Sequence, residues 1–138
     1  MTLIIKIPMK TVSEGQTLKV AVKKGTKTVY KTEHWSQAAK RHRQQKFLVR
    51  AYLNGKINDF KIPCRIKLTR VAPYTLDFSD NLPMSMKWIL DSICDMIVPG
   101  LPAGRADSKG FKIEYDQKQG LPKEYAVEVE IENLEEKC

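Results

Sequence analysis

Cysteine, histidine and long apolar runs are all scarce in this chain of 138 residues, and each scarcity removes a class of function. The three cysteines, Cys64, Cys94 and Cys138, are an odd number at spacings that fit neither a C-x-x-C redox pair nor a zinc ligand set. Reduced thiols and a cytoplasmic setting are therefore expected. His34 and His42, the only histidines, lie eight apart on a basic segment, which rules out a histidine-rich zinc site and a Ser-His-Asp triad. No apolar stretch approaches the roughly 18 residues of a membrane span, and Met1 to Lys10 lacks a signal-peptide pattern, so neither export nor anchoring is expected. Low-complexity tracts and internal repeats are missing too. With 42% hydrophobic and 29% charged residues, the composition is that of one globular domain spanning residues 1–138, its last residues from about 133 expected to fray.

Acid is almost absent from the front of the chain. Residues 1–76 hold 17 Lys/Arg against 3 Asp/Glu, a net +14, whereas residues 77–138 hold 7 against 13, a net −6. A positive balance alone suits a solvated cationic face as well as a nucleic-acid partner. Its segregation from the carboxylates favours a surface for a polyanion beside a separate acidic cluster.

The hydrophobic pattern alternates between period two and period 3.6. Leu3 to Ile7 reads as a strand stopped by Pro8. Leu18 to Lys31 reads as a hairpin turning at Lys24-Gly25, with a cationic tip. Between Ser36 and Leu53 there is neither Gly nor Pro, and Ala38, Arg41, Gln45, Leu48, Val49 and Tyr52 recur at helical spacing before the stop signal Asn54-Gly55. This helix has five Lys/Arg and no Asp or Glu to pair with them, so Lys40, Arg41, Arg43, Lys46 and Arg50 are candidate phosphate contacts.

Phe60, Ile62, Cys64, Ile66 and Leu68 alternate as a half-buried strand. A second helix is expected from about Met84 to Ile97, with Met86, Ile89, Leu90, Ile93, Met96 and Ile97 as its core stripe. Phe111 to Tyr115 and Tyr125 to Ile131 read as an antiparallel pair, with Glu128, Glu130 and Glu132 blunting an outer edge. The whole is α+β: a small mixed, largely antiparallel sheet with helices packed on it.

Short carboxylates cluster after the first long strand. Asp77 and Asp80 flank it closely, Lys87, Asp91 and Asp95 follow at helical i, i+4, i+8 spacing, and Asp107 comes after a loop rich in Gly and Pro. Asp77, Asp80 and Asp107 are candidate ligands for a hard divalent cation. Lys87 is the candidate fixed charge, and Asp91 either a ligand or the group orienting it. Each also has a structural reading: Asp80 as a helix cap, Lys87 and Asp91 as a surface pair, Asp107 as a loop residue.

The run Leu68-Thr69-Arg70-Val71-Ala72-Pro73, then Leu76-Asp77 with Asp80-Asn81-Leu82, Lys87, Asp91, Asp95, Gly104-Arg105-Ala106-Asp107 and Tyr115-Asp116-Gln117 resembles the RusA-type Holliday-junction resolvases, as do His34-Trp35 and the basic helix. The resemblance covers roughly residues 33–132. It implies a RusA-like fold, a homodimer, Mg²⁺ as cofactor with Mn²⁺ tolerated, no small-molecule cofactor or membrane partner, and paired nicks in four-way DNA. It carries the family's aspartates onto Asp80, Asp77 and Asp107 and its lysine onto Lys87; Asp91 completes the expected catalytic set, and Arg70 is a further expected DNA contact. Two positions depart from the family pattern: Phe78 stands where an acid usually lies two residues before Asp80, and Ser108-Lys109 follow Asp107 where a second acid is common. A junction-binding protein with a decayed metal site is the alternative expectation.

Overall fold

The computed structural model describes residues 2–11, 19–32, 35–76, 81–99 and 110–134. Six strands and two helices follow in the order β1 (Thr2–Ile7), β2 (Lys19–Lys24), β3 (Lys27–Thr32), α1 (Trp35–Leu53), β4 (Cys64–Ala72), α2 (Asn81–Ile97), β5 (Phe111–Gln119) and β6 (Ala126–Asn133). β1, β6, β4 and β5 form one sheet in that spatial order, and β2 and β3 form a separate hairpin. The architecture is α+β, mostly antiparallel, as the hydrophobic patterning implies.

Alternation splits the sheet into two chemically distinct faces. Ile7, Cys64, Ile66, Leu68, Val127, Val129 and Ile131 point inward and are fully buried. They meet Val49 and Leu53 of α1 and Leu82, Met86, Ile89 and Ile93 of α2 in one continuous core. The second helix begins earlier than its apolar stripe suggests, at Asn81, because Pro83 fits a first helical turn, where its missing N–H is no loss. The first helix ends where expected: Gly55, at φ 76°, takes the left-handed geometry that terminates it.

The opposite face is an ion-pair network. Arg65 reaches Glu114 at 2.9 Å, Glu132 at 2.8 Å and Glu130 at 3.4 Å. Lys118 meets Glu128 at 2.9 Å, and Lys67 meets Asp116 at 3.7 Å.

Four local expectations need correction. β5 and β6 do not pair with each other: β4 lies between them, parallel to β5 and antiparallel to β6. Alternation defines faces and leaves strand order open, and the helical crossover from β4 through α2 is what produces a parallel neighbour. For the same reason Glu128, Glu130 and Glu132 blunt no edge. β6 is interior, bonded to both β1 and β4, and its glutamates face cations. The fourth strand starts at Cys64 rather than Phe60; Ile62 is 42% exposed and Pro63 has no N–H to give to a ladder, while Phe60 is buried through a turn in which its N–H donates to the Ile57 carbonyl. Finally, Asn133 and Leu134 are tied down: the Asn133 side chain accepts from the Lys61 N–H at 3.1 Å, and the Leu134 N–H donates to the Pro63 carbonyl at 2.9 Å. Residues 135–138 lie outside the described ones.

Candidate nucleic-acid interface and the acidic segment

The two helices bring together cations that sequence separates by about forty residues. Trp88 of α2 stacks on His42 of α1, ring centroids 4.3 Å apart. The Lys46 ammonium lies 5.4 Å from the same indole and the Lys87 ammonium 5.3 Å from it, so one aromatic ring gathers three basic side chains. Lys87, the expected fixed charge, thus joins the basic surface of α1 through Trp88. Lys40, Arg43 and Arg50 are exposed along that helix.

Helical geometry arranges α1 in four strips. Its buried centre runs through Gln45, Val49 and Leu53, His42 and Lys46 flank it on the side of α2, and Arg41, Gln44 and Leu48 flank it on the other. Arg43, Phe47 and Arg50 occupy the outward side. Phe47 is 69% exposed and borders, with Arg50, a groove whose other wall is Asp95, Met96 and Pro99.

Arg70 does not belong to this surface. It is 6% exposed, and its guanidinium is spent internally: Nε donates to Thr11 Oγ1 at 2.9 Å, Nη2 to the Thr11 carbonyl at 3.2 Å and Nη1 to the Tyr74 carbonyl at 2.6 Å. Burial pulls its pKa below the usual arginine value, yet an arginine starts so high that it stays charged. Arg70 fastens the segment after β1 to the end of β4 and presents no charge to solvent, which corrects its expected role as a DNA contact.

Three of the expected site residues, Asp77, Asp80 and Asp107, lie outside the described residues. Their surroundings are described in part. Leu76, the residue before Asp77, is clamped by Gln117 of β5: its N–H donates to Gln117 Oε1 at 2.8 Å, and its carbonyl accepts from Gln117 Nε2 at 2.7 Å. The first residue after the segment, Asn81, opens α2. Asp91 is buried, 8% exposed, although it shares a face of that helix with the exposed Lys87 one turn earlier. Asp95, one turn further, is half-buried with Oδ1 lacking a hydrogen bond among the described residues. Among those residues no three His, Cys, Asp or Glu side chains gather to hold a metal ion.

Sequence reasoning missed Trp88, Gln117 and Gln45. Gln117 sits in the quoted Tyr115-Asp116-Gln117 run, but nothing in a strand pattern shows that an inward amide pairs with a backbone forty-one residues away. Trp88 could have been found from its position beside Lys87, on the flank of the apolar stripe that turns toward α1. No protein-family model matches the chain, and no curated protein matches it. No helix among the described residues is long and apolar enough to cross a membrane.

Proposed function

We propose that this protein is a structure-selective DNA endonuclease that nicks four-way junctions in a Mg²⁺-dependent reaction. The observation that carries the reading is the Trp88 cluster, which joins Lys87 to the cationic surface of α1 on the helix that follows Asp77 and Asp80. A phosphate backbone lying along Lys40, Arg43, Lys46 and Arg50 would be drawn toward the helix that carries Lys87. Asp77, Asp80 and Asp107 are the residues that would hold Mg²⁺, which neutralises charge on the phosphodiester and lowers the pKa of an attacking water. Lys87 supplies a fixed positive charge against the charge that builds up during cleavage. Gln117, through Leu76, holds one end of the acidic segment. Asp91, one turn from Lys87 on the same face of α2, would orient that lysine or join the ligands. Two copies of the chain on a two-fold axis would offer one such site to each of two equivalent strands.

The decisive experiment uses a labelled four-way junction. Nicking in Mg²⁺ or Mn²⁺, its loss in EDTA with binding retained, and the same loss in Asp80→Asn are the expected results. Phe78 and the Ser108-Lys109 pair, which stand where acids would strengthen the site, support a second reading: a junction-binding protein that does not cut. Tight binding without cleavage in either metal would establish that reading instead.

A further inference from the structure

On the flank of α1 turned away from Trp88, a cavity of about 320 Å³ opens between the helix and the residues that follow β1. Pro8, Met9 and Leu48 give it apolar walls, Lys10 and Arg41 bring cations to its lining, and Gln44 and Gln45 bring amides. Gln45 is the unusual member. It is 2% exposed, and neither its amide oxygen nor its amide nitrogen makes a hydrogen bond among the described residues. A buried amide with both ends unpaired is costly, and a simple apolar residue at this helix position would pack without that cost. The Lys10 ammonium lies 4.9 Å from the Tyr125 ring, which fixes one cation at the edge of this region.

We infer that this cavity receives one unpaired nucleobase of a bound DNA strand, read by Gln45. The chemistry matches part by part. Apolar walls accept the faces of a planar ring, and an amide offers a donor beside an acceptor, the complement of the donor and acceptor adjacent on a base edge. Gln45 lines the cavity, so a turn about its side-chain torsions would present the amide to a base there, and the neighbouring cations suit the phosphates on either side. Arg41 and Gln44, which line the cavity, are sequence neighbours of Lys40 and Arg43 on α1, so a strand held by those two would have one flank of the helix to cross to reach it. At a branch point the continuous stack is interrupted, so a base there is extracted at less cost than one inside an unbroken duplex. The inference deepens the nucleic-acid part of the proposed function and rests on it.

The test compares a labelled single strand with the same strand carrying abasic sites, in EDTA so that cleavage plays no part. The wild-type protein is expected to bind the intact strand about tenfold more tightly, within the range contributed by one base contact. Gln45→Leu is expected to bind both strands equally, with an unchanged salt dependence and a raised Tm, because it removes the orphaned amide while sparing the phosphate contacts. Gln45→Met serves as a second variant if Leu crowds the site. Equal binding of the two strands by the wild type, or discrimination that survives in both variants, overturns the inference. Free dAMP is expected to compete only weakly; dAMP that saturates the protein as tightly as the strand does would assign the cavity to a free nucleotide and overturn the strand assignment. A wild type that discriminates between strands but never nicks a junction sinks the nuclease reading alone, and one that nicks without discriminating sinks this inference alone.

Discussion

Gln117 holds Leu76 by both of its backbone groups, the amide oxygen accepting at 2.8 Å and the amide nitrogen donating at 2.7 Å. A side-chain amide here substitutes for one rung of a β-ladder and fixes the chain immediately before Asp77. Gln117→Ala is expected to destabilise the fold by about 1–3 kcal/mol, the loss of two hydrogen bonds with partial rescue by water. Gln117→Glu keeps an acceptor for the Leu76 N–H but sets a carboxylate against its carbonyl, so it should not restore stability. Urea denaturation measures both. Under the proposed function, junction nicking falls in both variants while junction affinity is retained; unchanged nicking would free the acidic segment from this clamp.

Charge on α1 should register in the salt dependence of binding. Arg43→Ala with Lys46→Ala removes two cations, and the slope of log K against log[salt] is expected to flatten by about 1.8, near 0.9 per phosphate contact on duplex DNA. Arg70→Lys, in contrast, should leave the slope unchanged and lower stability, because the arginine is committed to Thr11 and Tyr74. Filter binding across a salt series separates the two outcomes. A slope that responds to Arg70 and ignores Arg43 and Lys46 would move the interface to another face.

Arg65 is the centre of the outer ion-pair network, within reach of Glu114, Glu130 and Glu132. Isolated surface pairs contribute little, but removing this one cation leaves three carboxylates facing one another. Arg65→Met is expected to cost about 1–3 kcal/mol at low ionic strength, and part of that loss should return in high salt as repulsion is screened. Thermal unfolding at two salt concentrations checks this. A cost that grows with salt would contradict the electrostatic account.

Cys64 is fully buried, and burial pushes its thiol from 9.0 up to about 11. Below pH 9 the thiol is neutral in both folded and unfolded chains and the fold keeps its full margin. Above it the unfolded chain loses the proton first, so stability is expected to decline as pH rises from 9 toward 11, by about 2–3 kcal/mol at the upper end. Cys64→Ala should show a shallower decline over this window. Alkylating reagents at pH 8 are expected to modify Cys64 only on unfolding, which mass spectrometry of the labelled peptide reports.

Both helices, every strand and the faces of the main sheet are readable in the sequence, because burial imposes a period on the chain wherever one side meets a core. Strand order is not readable in the same way. Tyr125 to Ile131 alternates identically whether its neighbour is β5 or β4, and only the three-dimensional crossover through α2 decides. Arg70 illustrates a second limit: an arginine at the end of a basic half looks like a phosphate ligand, but its position on an inward strand face, together with Thr11 and Tyr74 as acceptors, makes it structural. Lys87 and Lys46 were legible as charges. That they share an indole depended on the angle at which two helices cross, which no single-chain periodicity encodes. Asp77, Asp80 and Asp107 are prominent in the sequence as a group of short acids, and their segments are not among the described residues.

The pairing of Arg65, Lys67 and Lys118 with glutamates and Asp116 has an effect beyond stability. One broad side of the molecule is electrically quiet at long range, since its opposite charges cancel within a few ångströms, while α1 carries five Lys/Arg and no acid of its own. Under the proposed function, a drifting polyanion would experience a torque as well as a pull, and would be turned to meet the helices before any contact forms. In that reading, orientation during approach would be settled by the face that stands away from the strand.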